Sequence, residues 1–121
     1  MRLILLAGLT LLLSCHKESS LVNGNVRNEA ARIFANNLAV DGCEEMVRLE
    51  VDSSLNNFIG YKPSPSTLPL VQKALAGTSP GHTGRAVTIR FFETGKQVSL
   101  QCGWGNAPQV PEIEVLEITP R

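Results

Sequence analysis

The sequence is poor in aromatic residues, in net charge and in closely spaced cysteines, and each shortage removes a class of function. Phe, Tyr and Trp make up 5% of the 121 residues, with a single Trp and a single Tyr. Eleven basic and eleven acidic side chains cancel to a formal charge of zero. Nucleic-acid binders need a basic stripe to meet phosphate and aromatic faces to stack on bases, so this composition argues against a nucleic-acid partner. No C-x-x-C pair is present, and Cys43, His82 and Cys102 are far apart in the chain. Zinc sites and redox pairs use close spacings, so neither a metal nor another cofactor is expected. With 43% apolar residues, the chain is also not of the disordered kind. No apolar run reaches the roughly 20 residues that a membrane-spanning helix needs.

The apolar residues are unevenly placed. Arg2 gives a positive start, residues 3–13 form an apolar run, and Ser14-Cys15 closes it before the polar stretch His16-Lys17-Glu18-Ser19-Ser20. This is the order of an export signal, but without the small-x-small cleavage site. In its place, Leu12-Leu13-Ser14-Cys15 resembles the lipobox of bacterial lipoproteins. The resemblance implies that residues 1–14 are removed and that Cys15 becomes the first residue, carrying a diacylglyceryl group on its thiol and palmitate or a related acyl chain on its amino group. One acyl chain binds a membrane only marginally, whereas two or three hold a protein there durably. The competing reading makes Cys15 an incidental residue at the end of a secretory signal or in a buried apolar helix. The resemblance further implies an exported protein, anchored to the cell envelope through the lipid on Cys15. His16, where an Asp would retain a lipoprotein in the inner membrane, leans the expectation towards the outer membrane.

Once Cys15 is set aside, Cys43 and Cys102 remain. In an oxidising compartment two remaining thiols are expected to pair. The bridge would enclose a segment of 59 residues. A loop of that length corresponds to about 4 kcal/mol of chain-entropy stabilisation. A metal site using Cys43, Cys102 and His82 is the alternative, and it would need each ligand brought in from a different element.

Residues 15–26 are polar and unpatterned and read as a flexible tether, which leaves residues 27–121 as one domain. Residues 27–34 fit either a strand or a helix face, and the strand is favoured because Asn36 and Asn37 are poor helix formers. Residues 46–51 alternate, with Val47, Leu49 and Val51 predicted inward. A short partner strand is predicted at 58–61, and the prolines at 63 and 65 then exclude a central strand. Thr67 is positioned to cap a short helix to about residue 76, with Pro69 in its first turn and Leu70, Val71, Ala74 and Leu75 on one side. Residues 85–92 and 97–102 alternate on either side of Glu93-Thr94-Gly95-Lys96, predicted as a hairpin turn. A last strand is predicted at 112–118, its glutamates at 112, 114 and 117 protecting an edge.

These elements predict a mainly β fold, a small partly open barrel of five or six strands with one short helix, resembling the OB type. The segments Asp41-Gly42-Cys43, Tyr61-Lys62-Pro63, Leu68-Pro69, Cys102-Gly103 and Ile113-Glu114-Val115 look like those of a group of small, mostly uncharacterised bacterial lipoproteins. That resemblance implies a disulfide-bonded β domain and brings no activity with it.

Candidate chemistry is sparse. Gly77-Thr78-Ser79-Pro80-Gly81 matches the G-x-S-x-G pattern, and His82 is close, which is the basis for an alternative reading as an envelope hydrolase using Ser79 and His82. The residue after the nucleophile must donate an N–H to the oxyanion, and Pro80 has none. A glycine-rich loop accounts for the same residues, and presented rigidly it would suit an inhibitor of an envelope enzyme. Asp41, Glu44 and Glu45 cluster near Cys43, but neighbouring strand residues point to opposite faces, so a catalytic pair is not expected there. Trp104, between two glycines, and Tyr61 are candidate contacts for a protein or saccharide partner, or else closing residues of the barrel. The reading that results is a non-catalytic binding or structural module of the cell envelope.

Overall fold

Alternation of apolar and polar residues becomes strand where the apolar set finds a common interior. Ala31 and Ile33 are fully buried in strand β1 (Arg27–Phe34), so the ambiguous first segment is a strand with the predicted bounds. The structure is a computed structural model and describes residues 25–40, 42–52, 60–77 and 84–121, the side chain of Trp104 lying outside the described part. β2 (Met46–Leu49) buries Val47 and Leu49 but ends two residues early, where a 3-10 turn, Glu50–Asp52, takes over. That turn rotates Val51 outward, and it is 64% exposed rather than inward as its period predicts. β3 is only Lys62–Pro63, an edge position that tolerates the missing N–H of proline.

The sheet order is β2-β1-β4-β5-β3. β4 (Arg85–Ser99) and β5 (Gln109–Pro120) form its longest antiparallel pair, and β1 pairs antiparallel with both β2 and β4. The stretch predicted as a hairpin turn at 93–96 is instead a bulge within β4. Glu93 faces Ile113 and Gln97 faces Pro111, so four steps along β4 match two along β5, and Thr94-Gly95-Lys96 stand against the single residue Glu112 and leave the ladder. Gly95 takes a φ of 86°, which a bulge needs as much as a turn does. β5 is likewise not the predicted edge, since β4 and β3 flank it. Its Glu112 is buried and accepts a hydrogen bond from Thr94 Oγ1 at 3.0 Å. A second irregularity lies between Arg90 and Phe91, where Leu116 of β5 is the extra residue.

The sheet curls into a half-barrel. Its two edge strands meet where Val47 of β2 and Tyr61, next to β3, exchange hydrogen bonds of 2.9 and 2.8 Å. The fold is therefore the expected mainly β, partly open barrel, with five strands and one helix among the described residues.

Helix α1 (Leu68–Leu75) follows Thr67 as predicted, with Pro69 in its first turn. Val71 and Leu75 enter the core beside Val47, Ile89, Phe91 and Ile113, while Leu70 stays 41% exposed. Thr67 does not cap through its side chain. Its Oγ1 instead pairs with Ser64 Oγ at 2.8 Å and accepts the Val115 N–H at 3.2 Å, which fixes the start of α1 to β5.

Candidate functional site

The cysteines pair as the sequence predicts. Cys43 and Cys102 form a disulfide, with Phe34, Met46, Val98, Leu100 and Val110 packed around it as a second, smaller apolar cluster. Backbone bonds from Glu44 N to Gln101 O (2.9 Å) and from Gly103 N to Gly42 O (2.8 Å) run on either side of the bridge. Gly42 must be glycine here, because a Cβ would lie 2.4 Å from Cβ of Asn37. Glu44 and Glu45 diverge as expected, although they lie in a bend just before β2 rather than in a strand. Glu44 accepts the Gln101 N–H at 2.9 Å and pairs with Lys62 Nζ at 2.7 Å, and Lys62 also donates to Ser99 O. Glu45 turns the other way and accepts from Gln72. Glu44 thus ties β3 to the chain after β4, and Glu45 ties the approach to β2 to helix α1. Asp41 lies outside the described residues.

Tyr61 is 8% exposed and belongs to the main core, which leaves its ring little surface to offer a partner. The ring lies 6.1 Å from that of Phe91, whose other neighbour is the Arg27 guanidinium, 5.2 Å from the ring centre. Arg27 in turn faces Glu29 and Glu93, each at 3.7 Å. Burial first, then the carboxylates of Asp52 and Glu93, push the Tyr61 phenol above its ordinary value, against a hydrogen bond and charge from Arg27. The folded protein thus holds this proton more tightly than the unfolded chain does. The stabilisation is intact below about pH 10 and is lost as the pH rises through the folded-state value. We expect the urea midpoint of the wild type to fall more between about pH 9 and pH 11 than that of Tyr61→Phe. As the chain has one Tyr, its phenolate absorbance reports the titration directly; equal falls in both proteins would dismiss the linkage.

An open groove is lined by described residues. It holds about 380 Å³ between α1 and the end of β5. Leu70, Lys73 and Ala74 form the helix wall, Leu116, Ile118 and Pro120 the strand wall, and Arg85 closes one end by donating to the Ala74 carbonyl. Glu117 stands at the rim. The described lining is mainly apolar, with two cations and one carboxylate, the make-up of a surface that binds an apolar ligand with a charged group.

No family model, curated protein or solved structure matches this chain.

Cys15, Ser79 and His82 lie outside the described residues. Trp104 is carried on a 3-10 turn, Gly103–Gly105, directly after the bridge and beside the turn Leu38–Val40; its side chain is outside the described part. No group of three or more metal-ligating side chains occurs among the described residues, and no described helix is long and apolar enough to cross a membrane. Sequence reasoning missed the groove. The signal was the adjacent pair Val115-Leu116, which breaks the two-residue period of β5 and so marks a bulge. Leu116 there is 40% exposed, across the groove from the equally exposed Leu70.

Proposed function

We propose that this protein is a lipoprotein, anchored to the cell envelope through Cys15, whose β domain is a non-catalytic binding or structural module. The observation that carries the reading is the pairing of Cys43 with Cys102. It supports an oxidising, exported compartment and leaves Cys15 as the one cysteine outside a bridge, at the end of the apolar run and within Leu12-Leu13-Ser14-Cys15. The groove beside α1, with its mainly apolar walls, supports a binding role. Its partner is an envelope protein or saccharide, and His16 after the lipidated cysteine favours the outer membrane.

The test is metabolic labelling with palmitate in a bacterial host, followed by fractionation of the envelope. The wild type is expected to be labelled and to sediment with membranes, while Cys15→Ala is unlabelled and released from them. Equal labelling of both proteins would end the anchoring reading.

A further inference from the structure

The edges of the curled sheet are unequal. β2 is covered by β1 on one side and touches Tyr61 on the other, whereas β5 loses its outer neighbour part-way along. β3 pairs with β5 only at Glu112 and Ile113, and Ser64 N then donates to Ile113 O before the chain turns into α1. Thr67 Oγ1 occupies the Val115 N–H. From Leu116 onward no strand among the described residues lies beside β5 on the side away from β4.

The polarity of that open stretch follows from the ladder. Arg121 N donates to Ala86 O at 3.2 Å, in the register that sets Thr119 against Thr88 and Glu117 against Arg90. Antiparallel strands alternate the side to which backbone groups point, so Ile118, between those positions, turns its N–H and C=O away from β4 and towards the groove. Pro120 adds a carbonyl but no N–H, which limits the ladder at its far end.

The groove beside this edge selects for charge as well as for extended shape. Glu117 is set opposite Arg90 in the ladder, but no ion pair joins the two among the described residues, and it lines the groove with Lys73 and Arg85, so the described lining carries one net positive charge. Neither Lys73 nor Arg85 is paired with a carboxylate among the described residues. Arg85 meets a carbonyl rather than a carboxylate, and Lys73 makes no ion pair among the described residues. Two cations, one carboxylate, two exposed leucines and a strand edge without a partner among the described residues therefore lie side by side.

We propose that the free edge of β5 and the groove beside it take up an extended polypeptide segment of a partner protein, with apolar and acidic residues in alternation, by strand addition. The incoming backbone pairs with Ile118, its apolar side chains fill the space between Leu70 and Leu116, and an acidic side chain reaches Lys73 and Arg85. This deepens the reading of the domain as a binding module and does not depend on the lipid.

The test uses the full chain, purified in detergent, and three blocked octapeptides: alternating Val and Glu, alternating Val and Lys, and the Val/Glu peptide N-methylated at its internal amides. The Val/Glu peptide is expected to bind about tenfold more tightly than the Val/Lys peptide, and N-methylation to weaken it by about tenfold or more. Leu116→Lys and Lys73→Glu, both at exposed positions, should each weaken it by roughly fivefold or more, whereas Lys96→Glu on the distant bulge leaves it unchanged. Absence of binding, equal binding of the methylated peptide, or indifference to Leu116→Lys would overturn the proposal. So would a concentration-dependent dimer abolished by Leu116→Lys, which would assign the edge to a second copy of the chain. None of these outcomes touches palmitate labelling, so loss of the groove and loss of the anchor are separately read.

Discussion

The double variant Cys43→Ala/Cys102→Ala is expected to melt roughly 15–30 °C below the wild type, a loss of about 4 kcal/mol. The bridge spans 59 residues, from the approach to β2 to the end of β4. Its effect falls mainly on the unfolded chain, where it keeps the two ends of the 59-residue loop together. The hydrogen bonds beside it, Glu44 N to Gln101 O and Gly103 N to Gly42 O, act on the folded state and are present in both proteins. The variant should therefore keep its sheet at low temperature, with an unchanged far-ultraviolet circular dichroism spectrum, and differ in where it melts. Small domains have only about 5–15 kcal/mol in hand, so the shift is a large part of the whole. A shift below about 5 °C would mean that the 59-residue loop is already restricted in the unfolded chain.

Phe91→Ala is expected to cost about 3–5 kcal/mol, the range for emptying a packed aromatic site. Phe91 has no exposed surface and stands between Arg27 of β1 and Val115 of β5 in the ladder, with the Tyr61 ring against it. Removing it opens a cavity between the two ends of the curl and takes away the ring over which Arg27 sits. Urea unfolding should show the midpoint falling with little change in slope. If Phe91→Ala does not fold, Phe91→Leu serves in its place, at a cost of about 1–1.5 kcal/mol. A loss under about 0.5 kcal/mol in Phe91→Leu together with one under about 1 kcal/mol in Phe91→Ala would show that the ring is not a packing centre.

The strands could be read from the sequence where one face alone is buried. Ala31 and Ile33, Val47 and Leu49, and Val87, Ile89 and Phe91 all lie inward as their period predicts. Misreadings occur where a local signal has two meanings. Gly95 and its neighbours serve a turn or a bulge equally well, and what decides is that β5 is long enough to pair with both halves of β4. The glutamates of β5 suit a solvated edge, yet Glu112 is buried because Thr94 from the bulge supplies its hydrogen bond. Val51 follows the alternation of β2 but sits after its end. The bridge was legible from cysteine arithmetic, and the surrounding Glu44–Lys62 pair was not, since it joins a bend before β2 to strand β3, which meet only in the folded chain. The groove depends on where α1 leaves β5, which is a property of Ser64 and Thr67 contacts rather than of any run of residues.

The strand order has a consequence for timing. β1, the first strand, is hydrogen-bonded on one side to β4, so the middle of the sheet joins residues such as Arg27 and Phe91. The first half of the chain has no stable sheet of its own to form, because β1 and β2 alone make a two-stranded ribbon. Such long-range pairing belongs to the slow end of small-domain folding, milliseconds to seconds. A growing chain therefore stays open until β4 and β5 have been made, and the two cysteines, on opposite sides of that delay, meet late rather than early.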